Sequence, residues 1–507
     1  MSSLRAVLRA SEVDLSVRIP SSSKELANFV GGAWVTPPDA PMLPVTSPYT
    51  GAQIARVPMS SADDVLKAVS AAKAAQPAWA ATPIKERAAR MFRFRQLLLE
   101  HLETLSHSAA AESGKTLAEA TAEVLKGVEV VEFATALQNS DTGSILEVSR
   151  GITCEYRREP LGVVAGIVPF NFPAMVPMWM FPIAVTLGNA FVLKPSEKVP
   201  MTACLLADLM AQAGIPAGVF SLVHGGAETV ATLTTAPDVK AVGFVGSSGV
   251  ARRVYELGTA QMKRVLALGG AKNHLIVVPD ADEALTVQAV VDSFTGCAGQ
   301  RCMAASVLVA VGEVDGLIQK IVARASQIEL GPGMGAIIDE GAVTRITAAI
   351  DKAVGEGAKV LLDGRNKKPA MAEYAGGSWL GPTILDGVSP DHPIRHTEVF
   401  GPVLAIVRAR TLKEAIAIQN SSAYGNAASV FTTSGFVAQT VAEHATAGMI
   451  GVNVGVPVPR EPFSFGGINE SKFGAGDITG PSSVDFWTIE KKITRKWAVQ
   501  SDTTWMG

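Results

Sequence analysis

The residue with the most chemical potential is Cys302, in Gly299-Gln300-Arg301-Cys302-Met303-Ala304, just after the apolar helical stretch Val290 to Phe294 and Gly296. A thiol attacks as the thiolate, whose unperturbed pKa is roughly 8.5, so a neighbouring cation such as Arg301 or a helix terminus raises the reactive fraction near neutral pH. An isolated cysteine is more often a small buried apolar residue, so the surrounding sequence must decide. Cys297, a few residues upstream, is a rival nucleophile or a redox partner for Cys302.

Two further segments carry chemistry. Gly243-Phe244-Val245-Gly246-Ser247-Ser248-Gly249 falls between an expected strand and an expected helix, where free backbone amides and the helix dipole favour a phosphate. Its spacing is not the G-x-G-x-x-G fingerprint, and glycine turns before helices are common. At the end of another expected strand, Lys194-Pro195-Ser196-Glu197-Lys198 sets an ammonium and a carboxylate a few residues apart. A carboxylate there accepts hydrogen bonds from ribose hydroxyls and repels a 2′-phosphate, which favours NAD over NADP. Taken alone, the same residues also suit a solvated charged turn.

These residues must be positioned by a fold of considerable size. With 507 residues, 48% of them hydrophobic, the chain can build two or three domains with substantial cores. The 47 Gly and 29 Pro are dispersed as turn punctuation, without the fixed period of a repeat fold. A net charge of -3 with no basic stripe gives nucleic acid no electrostatic foothold, so small-molecule partners are expected. Cys154, Cys204, Cys297 and Cys302 do not form a secreted disulfide framework, which implies a reducing compartment. The longest apolar run, Met175 to Leu187, is interrupted by Pro177 and Pro182, so no membrane span is expected. A cytoplasmic setting follows. The alternative is the mitochondrial matrix, because Arg5 and Arg9 beside Leu4, Val7 and Leu8 resemble a presequence, although Glu12 and Asp14 break its acid-poor pattern.

From Leu161 onward, Val/Ile-rich runs alternate with helical patterns, the mark of an α/β fold with a mostly parallel sheet. Strands are expected at Leu161 to Val168, Ala190 to Lys194, Val219 to Val223, Val239 to Val245 and Val265 to Leu268. Helices are expected at Met201 to Ala213, Glu228 to Thr234 and Val250 to Leu257, the first bracketed by Pro200 and Gly214. A second strand series begins at Leu275 to Val278 and continues through Ser306 to Val311, Asn426 to Phe431 and Met449 to Val454. Ser61 to Phe133 reads as helical and should pack beside the first sheet. Arg150 to Arg158 and Val484 to Trp497 alternate like strands yet stand outside both series, as if to pair with another subunit.

Taken together, these residues resemble the aldehyde dehydrogenase family over about residues 25 to 500. The resemblance rests on Pro169-Phe170-Asn171-Phe172-Pro173, Lys194-Pro195-Ser196-Glu197, Phe244-Val245-Gly246-Ser247, Leu268-Gly269-Gly270, Gly299-Gln300-Arg301-Cys302, Glu398-Val399-Phe400-Gly401-Pro402 and Phe463-Ser464-Phe465-Gly466-Gly467, all in family order. It implies a Rossmann-type NAD-binding domain at 25–145 and 160–274, an α/β catalytic domain at 275–465, and oligomerisation β-segments at 146–159 and 476–500 that build a homotetramer. It also implies that Cys302 adds to an aldehyde while Asn171 and the Cys302 amide stabilise the oxyanion, hydride then passing to nicotinamide to leave a thioester. Phe170, Lys194, Glu197, Lys198, Ser247 and Gly269 fall where relatives hold the dinucleotide, and Glu398 and Phe400 where they position the nicotinamide ribose and ring. No residue is assigned to a metal.

One departure bears on subclass. Hydrolytic relatives place a glutamate before Leu-Gly-Gly to activate water, and this chain has Ala267 there. A methyl group takes no proton, and general-base assistance is worth roughly 10²–10⁴-fold. Another acyl acceptor is expected, and the thiol of coenzyme A exchanges with a thioester unaided. Lys263 to His274, Gly299 to Ala304, Pro169 to Pro177 and Gly451 to Pro457 resemble the CoA-acylating methylmalonate-semialdehyde dehydrogenases, which release propionyl-CoA or acetyl-CoA with loss of the substrate carboxyl as bicarbonate. In that branch Arg301 holds the substrate carboxylate, and Lys126 stands where a second arginine would sit, keeping the charge without the bidentate fork. Glu329 to Gly335 is shorter than the equivalent family loop. The alternative reading is a hydrolytic NAD-dependent dehydrogenase of another aldehyde, with a base elsewhere.

Overall fold

The computed structural model describes residues 17–140 and 143–497. The presequence-like stretch and residues 498–500 of the expected tail segment lie outside the described residues.

Two sheets organise the chain. The first has eight strands in the order Lys472–Phe473, Arg264–Leu268, Val239–Val245, Val163–Ile167, Ala190–Lys194, Phe220–Leu222, Asn28–Val30 and Ala33–Val35. Its five central strands, from Arg264–Leu268 to Phe220–Leu222, are parallel. They read as unbroken apolar runs because helices cover both faces and nearly every position is buried. From Val163–Ile167 the chain builds outward first through Ala190–Lys194 and Phe220–Leu222, then on the other side through Val239–Val245 and Arg264–Leu268. Strand order therefore reverses between Val163–Ile167 and Val239–Val245, which opens a crevice beyond their carboxyl ends. The second sheet has seven strands, ordered Lys359–Leu362, Thr383–Asp386, Val403–Ala409, Ala305–Val311, Asn273–Val277, Ala427–Phe431 and Met449–Val452, all parallel except the edge Lys359–Leu362.

The helical stretch expected at Ser61 to Phe133 resolves into Ala62–Ala81, Ile84–Glu100, Leu102–Ser113 and Leu117–Ala136. Ser61 with Asp64, and Thr116 with Glu119, form capping boxes that start the first and last of these. Met175–Thr186 is a continuous helix running through both Pro177 and Pro182, contrary to the interruption expected from sequence. Pro177 sits in the first turn, where no intrahelical donor is lost, and burial on every side outweighs the hydrogen bond missing at Pro182. Among the described residues no helix is long and apolar enough to cross a membrane.

The segments expected to pair with another subunit pair with each other. Thr488–Lys496 runs antiparallel to Ile152–Pro160 from Thr488↔Pro160 to Lys496↔Ile152, and Gly143–Ser149 lines the far edge. Val484 to Trp487 belongs instead to the helix Gly480–Trp487.

Helix Leu117–Ala136 contributes a buried anchor. Glu123 Oε1 accepts from the amides of Ala174 (2.7 Å) and Met175 (3.1 Å), while Oε2 pairs with the Lys115 ammonium, itself 3.6 Å above the Phe172 ring. Removing one partner of a buried pair strands the other charge. Glu123→Ala should therefore cost roughly 3–5 kcal/mol, read as a lower denaturant midpoint.

Candidate active site

A cavity of about 570 Å³ opens where the strand order reverses. Phe170 and Asn171 enter it from the loop after Val163–Ile167, Lys194, Glu197 and Lys198 from the end of Ala190–Lys194, and Ser247 from the turn after Val239–Val245. Gly269, packed against Ser248, and Cys302, Glu398 and Phe400 complete the lining. Ser247 N-caps helix Ser248–Ala260 without a side-chain cap bond, so first-turn amides stay available to an anion.

The cysteine loop is held by partners the sequence reading did not single out. Helix Glu283–Thr295 ends at Gly296, and Cys297, Ala298 and Gly299 follow with φ of 51°, 53° and 70°. Two non-glycine residues in the left-handed region need external support. Glu119 Oε1 accepts the Cys297 amide at 2.6 Å. Gln300 donates to the carbonyls of Cys297 and Ala336 (3.2 Å each) and accepts the Ile338 amide at 3.0 Å. The compact turn at Glu329 to Gly335, closed by Gly331 N–H to Met334 O at 2.8 Å, leads directly into these Gln300 partners. A Cβ on Gly299 would lie 2.1 Å from the Gly401 carbonyl oxygen, so only glycine lets this loop touch the one bearing Glu398 and Phe400. Asn171 Nδ2 donates to Gln300 O at 2.9 Å, which ties the two sides of the cavity together.

Burial pushes the Cys302 thiol up to about 12, with Glu398 adding to the rise and Arg301 working against it. Cys297 is buried, rises to a similar value for the same main reason, and does not line the cavity. All four cysteines are free. Glu398 is raised to about 7 by burial, against the Ala271 amide that donates to it at 3.0 Å and the charges of Lys272 and Arg345. Burial lowers Lys272 to about 7 in turn. Gly270 leaves room for the carboxylate, since a Cβ there would stand 2.4 Å from Glu398 Oε2.

On the opposite wall, Lys194 Nζ lies 3.1 Å from Glu197 Oε2. Burial works to raise Glu197, but Lys194 and Lys198 outweigh it and the net direction is down, which keeps an anion facing the cavity. Lys198 also pairs with Asp339 at 2.5 Å, and the Phe170 and Phe400 rings meet edge-on at 5.8 Å.

Two expected substrate contacts lie outside this lining. Arg301 turns back to donate to the carbonyls of Asp292 (2.6 Å) and Ser293 (2.9 Å), where it caps helix Glu283–Thr295. Its Nε is buried without a partner. Lys126 pairs with Glu129 at 2.7 Å and faces Glu461, whose carboxyl is raised to about 7, mainly by burial. Ala267 is fully buried in an apolar cluster with Phe244 and Val265.

A crevice at the strand-order reversal with a thiol opening into it defines the class, an α/β dehydrogenase. The chain belongs to the aldehyde dehydrogenase family, whose profile matches residues 34–493. It is 44% identical over 487 residues to a malonate-semialdehyde dehydrogenase of Bacillus cereus (strain AH187), covering 94% of this chain and 100% of the relative. A malonate-semialdehyde dehydrogenase of Geobacillus thermodenitrificans (strain NG80-2) is 44% identical over 480 residues, 93% of this chain and 99% of that one. Among solved structures, a putative methylmalonate-semialdehyde dehydrogenase from Sinorhizobium meliloti 1021 complexed with NAD superposes with a TM-score of 0.93 at 40% identity, covering 95% of this chain and 99% of that one. The methylmalonate-semialdehyde dehydrogenase of Oceanimonas doudoroffii gives 0.92 at 38%, covering 94% and 99%.

The raised Glu398 makes a prediction about pH. Between the ordinary carboxyl value and about 7 the folded protein binds a proton at Glu398 that the unfolded chain has released, so this contribution is complete at low pH and lost as pH rises through about 7. Glu398→Gln, which stays neutral, should gain melting temperature over the wild type at pH 8 and lose that advantage at pH 5, both without ligand.

Proposed function

We propose that this chain oxidises malonate or methylmalonate semialdehyde with NAD and transfers the acyl group from Cys302 to coenzyme A. The observation that carries the acyl-transfer reading is Ala267 buried among apolar side chains where hydrolytic relatives hold their water-activating glutamate. The relatives named as malonate-semialdehyde dehydrogenases support the substrate.

Dinucleotide chemistry fits the residues present. Glu197, kept ionised beside Lys194, can accept from ribose hydroxyls, and its charge disfavours a 2′-phosphate. The eight-stranded sheet would serve as the dinucleotide-binding unit and the seven-stranded sheet as the catalytic one. Bound NAD supplies the hydride acceptor. Glu398 would hold the nicotinamide ribose, and Phe170 and Phe400 would confine the ring.

The remaining steps belong to the chain. The Cys302 sulfur bonds to the aldehyde carbon, and the oxygen takes the negative charge. Asn171, whose Nδ2 is already oriented by Gln300, and the Cys302 amide donate to that oxygen. Loss of hydride re-forms the carbonyl as a thioester. The carboxylate β to that carbonyl then leaves as carbon dioxide, which hydrates to bicarbonate; the electron pair of the broken carbon–carbon bond passes into the thioester enolate, which takes a proton from solvent to give the acetyl or propionyl thioester. Attack by the CoA thiolate then forms the new thioester and releases the Cys302 thiolate. Arg301 is assigned to the substrate carboxylate, which requires its guanidinium to turn from the carbonyls of Asp292 and Ser293 toward the cavity, and Lys126, already paired with Glu129, adds positive charge at longer range.

A homotetramer is part of the proposal. Ile145, Leu146 and Val148 are exposed on the edge strand Gly143–Ser149, the kind of row that partner strands cover. Sedimentation equilibrium should give four chains, and a monomer would remove this part. Supplying malonate and methylmalonate semialdehydes with NAD, with and without CoA, tests the chemistry by mass spectrometry. Acetyl-CoA and propionyl-CoA are expected, with turnover at least roughly 100-fold slower without CoA. Full-rate, CoA-independent release of free acid would establish the hydrolytic alternative instead.

A further inference from the structure

Three cationic side chains line the cavity, Lys194, Lys198 and Arg345. Each is engaged within the protein. Lys194 Nζ lies 3.1 Å from Glu197 Oε2, and Arg345 Nη1 donates at 2.6 Å to the carbonyl of Val399, the residue after Glu398. Lys198 differs from both, because the group that holds it comes from outside the lining. Its ammonium sits 5.8 Å from the centre of the Phe170 ring and 2.5 Å from Asp339 Oδ2.

This ion pair joins two separate parts of the fold. Lys198 follows strand Ala190–Lys194 of the eight-stranded sheet. Asp339 starts helix Glu340–Gly355, whose Ile346 and Ile350 share a core with Val307 and Val403 of the seven-stranded sheet. The carboxylate is fixed at its post. Its Oδ1 accepts the Ala342 amide at 2.7 Å as the N-cap of that helix, which leaves Oδ2 for Lys198. The two side chains are 46% and 36% exposed, so the pair contributes little to stability. Its consequence lies in where it holds the positive charge. Lys198 directly follows Glu197, the carboxylate assigned above to the ribose hydroxyls. An uncommitted ammonium there would pair with a 2′-phosphate and offset the repulsion from Glu197. With Lys194 held by Glu197 and Lys198 by Asp339, neither lysine of the lining is left for an added phosphate.

We propose that Asp339 is a positioning residue for cofactor choice, which reaches across from the seven-stranded unit to hold and neutralise the Lys198 ammonium and so excludes dinucleotides that carry a 2′-phosphate. The proposal rests on the reading of the cavity as a dinucleotide site. It adds to Glu197 a second determinant, one that touches neither substrate nor thiol.

The test is isothermal titration calorimetry of NAD and of NADP into the full-length, ligand-free protein. Asp339→Asn removes the charge and keeps a good N-cap, so the helix is retained. NADP is expected to bind roughly three- to tenfold more tightly to this variant, the yield of one charge-assisted contact discounted for solvent, while NAD affinity changes less than about twofold. The gain should shrink as salt is raised from roughly 0.05 to 0.5 M. Adding Lys198→Met to Asp339→Asn should abolish it, an outcome that a loosened helix or cleft would not produce. An unchanged NADP affinity in Asp339→Asn overturns the proposal. So does an equal change for both dinucleotides, a gain that persists without Lys198, or a wild-type protein that binds NADP as tightly as NAD. A wild-type protein that binds neither dinucleotide would overturn the cofactor reading itself, and this proposal with it.

Discussion

Two loops from separate sheets must be held at hydrogen-bond distance without any covalent link, and the rest of the site depends on how that is done. The solution is two carboxylates on one helix, Glu123 buried and Glu119 half-buried. Glu119 and Glu123, within Leu117–Ala136, accept backbone amides from Cys297 on one side and from Ala174 and Met175 on the other. The Asn171–Gln300 bond then closes the gap directly. Glu123 is removed from water and needs its partners, so the cost of losing one of them is large. These hydrogen bonds also maintain the left-handed residues Cys297 and Ala298.

Electrostatics within the cavity are set chiefly by burial. It raises the Cys302 thiol and the Glu398 carboxyl and lowers the nearby Lys272 ammonium, so the groups around the thiol tend toward neutrality. Glu197 is the contrast, since two lysines overcome the same effect and preserve its charge. The two walls of one cleft therefore present different faces, an anion on one and near-neutral titratable groups around the thiol on the other.

Much of the architecture was legible because parallel strands covered on both faces leave long Val/Ile runs. Ala190 to Lys194 and Val239 to Val245 match the observed strands. Where structure and expectation part, the causes are local. Pro177 and Pro182 suggested a break, yet a helix buried on every side tolerates one missing hydrogen bond. Arg150 to Arg158 and the tail alternate as strands do, but alternation cannot name the partner strand, and within the chain the two segments pair with each other. Arg301 stands beside Cys302 in sequence, yet neighbouring residues in a tight turn point in different directions, and its guanidinium reaches back to a helix end.

What the sequence determined alone was the cast of chemical groups: the thiol, Asn171, Glu197 and Glu398, and the absence of an acid at position 267. These are properties of side-chain type and order, which survive without coordinates. Only the tertiary structure decided what surrounds them. Glu119 and Glu123 lie far from Cys297, Asn171 and Gln300 in the chain, and these residues come together across the site because hydrogen bonds are chosen by distance in space, to which sequence separation is blind.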